Sequence, residues 1–283
     1  MKPILKYRGG KSKEIPKFIS HIPTDYNNYI EPFFGGGAVY FFLEPSKSII
    51  NDINEKLFEF YVELKSEYPK AREQLNHLHE LYEMNHREYK TLKELSPEER
   101  VHNENENLYY KMRELFNYPS EEYLRSVVYF FINKTSYSGM IRYNKTGEFN
   151  VPFGRYTSFN TNLITESHVN LLKRTEIHNK DYKEIFEMAN EDDFMFLDPP
   201  YDCVFNDYGN LELEDGFNES EHERLAEEFK KLKCKALMII GKTALTEKLY
   251  KDYIVDEYHK NYAVNIRNRF KNDKIHLVIK NYS

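Results

Sequence analysis

Four apolar residues in a row, Phe194-Met195-Phe196-Leu197, run straight into Asp198 and then into two prolines. A short unbroken apolar run of this kind fits a fully buried strand, as in a parallel sheet covered by helices. Each proline fixes φ and removes an N–H, so the strand stops and the backbone after Asp198 is stiff. Asp198 therefore stands at a strand's carboxyl end, where open α/β sheets receive their ligands.

The flanking segments supply the rest of such a sheet. Residues 29–31 read as a short strand, followed by a glycine turn and a helix over 38–43. Residues 48–50 form a second strand ending at Asn51-Asp52, with a helix from Asn54 onward. A helix over 220–232, a strand over 236–240 and strands near 253–255 and 275–279 complete the series. Strands alternating with helices predict an α/β fold with a Rossmann-like, largely parallel sheet and helices on both faces. The middle breaks the pattern. From residue 63 to 131 the chain is charged and helical, interrupted near Ser96-Pro97 and Tyr118-Pro119-Ser120. Residues 144–147 then mark a turn between two short alternating runs, which predicts a polar β-hairpin within 137–152. The α/β domain is accordingly read as 1–62 with 162–283, and 63–161 as a mostly helical insertion carrying the hairpin.

The net charge of −6 weighs against a nucleic-acid partner, but distribution matters more than the sum. Lys2, Lys6, Arg8, Lys11, Lys13 and Lys17 crowd the first segment. Lys134, Arg142, Lys145 and Arg155 punctuate the middle, and Arg267, Arg269, Lys271 and Lys274 come near the end. Ordinary solvated charge explains any one cluster; three beside candidate motifs keep a phosphate backbone in play. No run approaches the roughly 18 apolar residues of a membrane span, so no membrane partner is expected. The basic start lacks an apolar leader core, which makes cytoplasmic the default location. Cys203 and Cys234 offer neither a disulfide framework nor a zinc site, and no metal is expected.

Glu31-Pro32-Phe33-Phe34-Gly35-Gly36-Gly37 joins a strand to a helix. Glycines there let backbone pass close to a ligand, and the helix start offers free N–H groups. Asp52, at the end of the next strand, has the usual place of a carboxylate that binds ribose hydroxyls. A dinucleotide fingerprint begun at Gly35 would need its third glycine at Tyr40, which counts against a nicotinamide cofactor and a dehydrogenase. A phosphate loop at Gly10-Lys11-Ser12 would place its first glycine at Leu5, with no strand before it. A glycine turn used only for packing remains the bland alternative.

After Asp198, Pro199 and Pro200 leave carbonyl oxygens free, and Tyr201 offers a flat face with a polar tip. Those groups suit an exocyclic amine on adenine, a poor nucleophile because its lone pair is delocalised into the ring. The Asp198 carboxylate and the Pro199 carbonyl can accept its two N–H bonds and turn the lone pair toward an electrophilic methyl. Positive charge develops on nitrogen during attack, so acceptors aimed there favour the transition state. Tyr201 would stack on the base once it has left the duplex. A structural Asp-Pro-Pro turn packed by a tyrosine is the alternative, and convergence with the glycine turn and Asp52 argues against it.

Five segments carry a family likeness, in order, along nearly the whole chain. They are Lys6-Tyr7-Arg8-Gly9-Gly10-Lys11, the glycine turn, Asn51-Asp52-Ile53-Asn54, the stretch 137–156 with Gly147-Glu148-Phe149-Asn150-Val151-Pro152-Phe153-Gly154-Arg155-Tyr156, and Asp198-Pro199-Pro200-Tyr201. The chain resembles the Dam-type, D12-class DNA adenine-N6 methyltransferases of the alpha group. In that family the cofactor motif comes first, the target-recognition insertion next and the catalytic tetrapeptide last. The resemblance implies S-adenosylmethionine as cofactor and double-stranded DNA as substrate. It places Tyr7, Lys11, Phe33, Gly35, Gly37, Asp52, Asp181 and Asp198 against the cofactor, with Asp52 on its ribose and Asp181 near its adenine. Lys6 falls where the family contacts a guanine, and Tyr137 where an aromatic enters the stack. Met140, Arg142 and Pro152 match base-reading hairpin positions, and Ser138, Asn144 and Arg155 complete the DNA-facing set. Phosphate contacts for the arginines and hairpin packing for Tyr137 and Met140 stay open beside these roles.

The recognition sequence that the resemblance implies is GATC or a related GAT-containing site. Three departures bear on it: Ser138 replaces a frequent Asn, 202–208 differs from the Pro-Leu-Ser type, and Gly241-Lys242-Thr243 replaces a Ser-Asn pair. A cognate restriction endonuclease is compatible with the family, and a monomer suffices for a one-base reaction. A catalytically inactive methyltransferase-like DNA-binding module is the competing reading.

Overall fold

The computed structural model describes residues 1–7, 9–201, 217–260 and 274–283. Arg8, the segment 202–208, Arg267, Arg269 and Lys271, all singled out from the sequence, lie outside the described residues. The described strands are β1 (Tyr29–Glu31), β2 (Ser48–Asn51), β3 (Thr175–His178), β4 (Phe194–Leu197), β5 (Lys235–Gly241), β6 (Ile254–Lys260) and β7 (Lys274–Lys280). They form one sheet in the order β3-β2-β1-β4-β5-β7-β6. From β3 to β5 neighbours run parallel, while β7 pairs antiparallel with both β5 and β6.

Side-chain alternation explains why β4 sits in the middle. Phe194 and Phe196 enter one hydrophobic cluster, and Met195 and Leu197 enter the other. β5 repeats the division, with Leu237 and Ile239 on one face and Ala236, Met238 and Ile240 on the other. Burying each of the larger side chains stabilises by about 1.5–3 kcal/mol, so the strand that presents Asp198 is held from both sides. One face is covered by α2 (Ala38–Leu43), α3 (Glu55–Ser66) and α7 (Glu166–Lys173). α8 (Tyr182–Met188), α9 (Glu219–Lys231) and α10 (Ala244–Tyr250) cover the other. A short α1 (Ile15–Phe18) precedes the sheet.

Between β2 and β3 the chain forms α4 (Tyr68–Leu95), α5 (Glu104–Asn117) and α6 (Arg125–Thr135). α4 buries Ala71, Leu75, Leu78, Tyr82 and Asn85, a helical stripe that ends well before Leu95. α6 is buried from Ser126 to Thr135 and packs against α3, α4 and α5. Its core is continuous with one face of the sheet, through Tyr82, Tyr109, Met112 and Phe131. The helices stop where the prolines stop them, before Ser96-Pro97 and before Tyr118-Pro119.

The expected hairpin is present as single antiparallel bridges, Tyr143 to Phe149 and Ser136 to Phe153. Asn144 builds its turn: the side-chain oxygen accepts from Thr146 N at 3.0 Å and Glu148 N at 2.9 Å. Gly147 takes φ 79° there, a value that favours glycine.

β3 and α8 are not visible in the sequence. Thr175-Glu176-Ile177-His178 has no apolar alternation, and only Thr175 is buried. Its strand exists because the open edge of β2 recruits it, from Ser48↔Thr175 to Asn51↔His178.

Glu14 fastens α1 to the far edge of the sheet. Its buried carboxylate accepts from Tyr258 Oη at 2.9 Å and lies 2.7 Å from both Lys260 Nζ and His276 Nδ1. Burial alone would raise its pKa; His276, Lys11 and Lys260 outweigh that and hold it at about 2. A carboxyl with a depressed folded pKa adds stability above its unfolded value of 4.5, and loses it as pH falls toward about 2. In urea titrations the stability gap between wild type and Glu14→Gln should narrow progressively as pH falls from 4.5 to 3. A gap independent of pH would show that the carboxylate is not held in this way.

Candidate active site

The carboxyl ends of β1, β2 and β4 open on a cavity of about 310 Å³. Tyr7, Lys11, Phe33, Gly35, Gly37, Asp52, Asp181 and the segment Asp198–Tyr201 all line it. The turn after β1 requires glycine. Gly35 has φ 51°, and a Cβ there would meet the Tyr7 ring at 2.6 Å; Gly37, with φ 63°, starts α2.

Asp52 ties two strand-end turns together. Its Oδ2 accepts Gly35 N at 2.7 Å and its Oδ1 accepts Asn54 N at 2.9 Å. Asn51 performs a similar task beside it, donating to the Pro32 and Lys180 carbonyls at 3.0 Å and accepting Lys180 N at 2.9 Å. Phe33, Tyr182 and Phe217 pack together as an aromatic wall of the cavity, with ring centroids 5.3 Å and 6.2 Å from Phe33. Asp181 caps α8 through Lys183 N at 2.9 Å, and Arg224 forks onto its two oxygens at 3.0 Å and 2.6 Å. The Arg224 guanidinium also lies 4.8 Å from the Tyr182 ring centroid. Glycine backbone, a carboxylate at a strand end and an aromatic wall are groups that suit an adenosyl sulfonium, so the lining of the cavity fits S-adenosylmethionine.

At the other end of the cavity Lys11, 1% exposed, reaches the tetrapeptide. Its Nζ lies 2.5 Å from Asp198 Oδ1, donates to Tyr201 Oη and sits 3.3 Å from the Gly9 carbonyl. Tyr201 Oη in turn donates to Asp198 Oδ1 at 3.3 Å. The contacts of the Asp198 carboxylate with Lys11 and Tyr201 use Oδ1, and the residue lines the cavity.

The first of the candidates for DNA contact, Lys6, directly precedes the cavity-lining Tyr7. Lys6 Nζ stands 4.3 Å over the Tyr156 ring, and Asn133 brackets its backbone, accepting Lys6 N at 2.9 Å and donating to Lys6 O at 2.8 Å. Next to it Tyr137 is 56% exposed, and Ser138 holds φ 57° in the left-handed region. A non-glycine residue there stores strain of about 1–3 kcal/mol, often where a segment must project. Met140, Pro152 and Arg155 are on the surface, and Arg155 also has positive φ, 52°. Arg142 gives its Nε to Asn150 Oδ1 at 3.0 Å, which leaves the outer fork of its guanidinium. Lys134 is buried; burial, then the Lys6 charge, bring its pKa down to about 8.

A family model for the D12 class of N6 adenine-specific DNA methyltransferases matches residues 7–266. The chain belongs to that family. It is 37% identical to the type II methyltransferase M.CviBI of Paramecium bursaria Chlorella virus NC1A, over the full length of both. It is 32% identical to M.MjaIII of Methanocaldococcus jannaschii, covering all of this chain and 99% of that one. It is also 30% identical to a DNA adenine methylase of Vibrio cholerae, over 70% of this chain and 64% of the relative. The methyltransferase transfers methyl from S-adenosylmethionine to adenine N6 in DNA.

Several of its site residues escaped the sequence reading. Asn51, Tyr182, Phe217 and Arg224 contact the cavity residues Pro32, Phe33 and Asp181, and Asn133 and Asn150 brace Lys6 and Arg142. Asn51, Asn150 and Tyr182, the last beside Asp181, stand inside motifs that give them no role of their own; the others carry no local signal. Among the described residues no helix is long and apolar enough to cross a membrane.

Asp52→Ala in this methyltransferase should raise the S-adenosylmethionine dissociation constant about 10- to 100-fold, the weight of hydrogen bonds to a charged group. Isothermal titration calorimetry measures it directly, and an unchanged constant would remove Asp52 from the cofactor's ligands.

Proposed function

We propose that the enzyme is a site-specific methyltransferase acting on an adenine flipped out of duplex DNA, with GATC or a related GAT-containing sequence as its site. The observation that carries the reading is Asp198, delivered by β4, held on one oxygen by Lys11 and bordered by Tyr201 at the mouth of the glycine-lined cavity. S-adenosylmethionine supplies an electrophilic methyl on a sulfonium when bound. Asp198 Oδ2 and the Pro199 carbonyl accept the two N–H bonds of the adenine amine and direct its lone pair into the cavity. Lys11 holds the carboxylate by one oxygen and orients it, so the acceptor is already in place as charge develops on nitrogen. Tyr201 stacks on the base, and Pro200 stiffens the approach.

Residues 63–161 form the target-recognition domain in this reading. Tyr137 and Ser138 fill the gap in the stack, while Lys6, Met140, Arg142 and Pro152 address base edges. Arg155 meets the backbone, and Asn144 contributes through the hairpin turn that it builds. The type II relatives support a cognate endonuclease as companion, and a cytoplasmic monomer meets the needs of a one-base reaction.

Labelled methyl transfer to duplex DNA, followed by mapping of the methylated adenines, tests the proposal. Label confined to GAT-containing sites supports it, and label confined to another motif overturns the assigned sequence. Cofactor binding without any transfer would instead favour the inactive DNA-binding module.

A further inference from the structure

The buried cluster around Glu14 meets the active site through Tyr201. His276, wholly buried on β7, lies between two tyrosine rings: its centroid is 5.1 Å from that of Tyr201 at 61°, and 5.6 Å from that of Tyr258. Its Nδ1 faces Glu14 Oε2 at 2.7 Å. The Glu14 backbone N–H donates to the Lys11 carbonyl at 2.7 Å, and Lys11 Nζ reaches Asp198 and Tyr201. Lys260 pairs with the other Glu14 oxygen and lies 6.0 Å from the Tyr201 centroid. These contacts close a circuit: Tyr201 to Lys11, along the backbone to Glu14, across to His276 and back to Tyr201.

Packing alone does not call for these groups. A buried carboxylate and its partner are costly to desolvate, and apolar side chains of similar volume often stabilise as well or better. Neither ring nitrogen of His276 makes a well-aligned hydrogen bond among the described residues, close as Nδ1 stands to Glu14, a penalty that an apolar ring would avoid. What the pair supplies is direction. With the carboxylate fixed by Tyr258 and Lys260, the approach of Nδ1 to it orients the imidazole, whose ring packs at 61° to that of Tyr201.

We propose that Glu14 and His276 are positioning residues for Tyr201, setting the plane of the ring on which the target base stacks. The proposal deepens the role given to Tyr201 above and rests on it. Its test is a double-mutant cycle in single-turnover methyl transfer to duplex DNA. His276→Phe, which keeps a ring but drops the Glu14 link, should slow transfer about 10-fold in the wild-type background and by less than about twofold in Tyr201→Ala. Equal slowing in both backgrounds, or no slowing in a folded protein, would overturn it. Glu14→Gln, which preserves shape, should lower kcat about threefold with KM for DNA unchanged, and serves where His276→Phe does not fold. A rise in KM alone would count against positioning. A second readout needs no turnover. In ternary complexes with S-adenosylhomocysteine, 2-aminopurine at the target position should be less quenched in His276→Phe than in wild type. If Tyr201→Ala itself leaves the single-turnover rate unchanged, the role of the tyrosine fails, and positioning fails with it.

Discussion

Asp198→Ala should lower kcat by about 10³-fold or more, the scale seen when a group that stabilises developing charge is removed. The S-adenosylmethionine dissociation constant should stay within about threefold, because the cofactor end of the cavity is built by Asp52, Phe33 and the glycine turn. The alanine variant also strips a buried ammonium of its counter-charge, since Lys11 Nζ lies 2.5 Å from Asp198 Oδ1. Asp198→Asn separates the two effects. It keeps an oxygen for Lys11 but offers the base an N–H where an acceptor is needed, so its kcat should remain depressed by about 10²-fold. Single-turnover transfer with saturating cofactor gives the rate, and calorimetry gives the affinity. An asparagine variant near wild-type speed would mean that the carboxylate does not hold the amine.

Lys11→Met is the second large effect. The resemblance places Lys11 against the cofactor, whereas the structure puts its ammonium on Asp198 and Tyr201 as well as at the cavity wall. The two placements predict different kinetics. If the contact with Asp198 and Tyr201 dominates, methionine fills the same volume, the acceptor loses its tether, and kcat falls about 10²-fold with cofactor affinity nearly unchanged. Weaker cofactor binding with an undiminished rate at saturation would assign Lys11 to the cofactor alone.

The parts of this molecule that were legible in the sequence are those whose signal is local. Phe194–Leu197 needs both faces buried, and two prolines end it; its place in the centre of the sheet follows. Gly35 and Gly37 sit where positive φ and close approach leave no room for another residue. Asn144 and Gly147 fix a turn by their own chemistry. β3 was hidden because its identity comes from β2 rather than from its own residues. Arg224, one turn into an ordinary amphipathic helix, gains its meaning from Asp181, 43 residues earlier. Asn133 resembles any buried polar residue until Lys6, 127 positions away, lies along its amide. Pairing across such distances leaves no period or spacing to read.

The same long reach has a consequence for how the enzyme is made. On the ribosome Lys11 appears early, but 187 residues separate it from Asp198, and 244 separate Glu14 from Tyr258. Lys11 and Glu14, buried charged residues of the first 18, both wait for partners synthesised late. Contacts of this span are slow to form. Until they do, a nascent chain has Lys6 and the hairpin but lacks the contact of Lys11 with Asp198. On the roles proposed above, newly made protein would touch DNA before it could mark it.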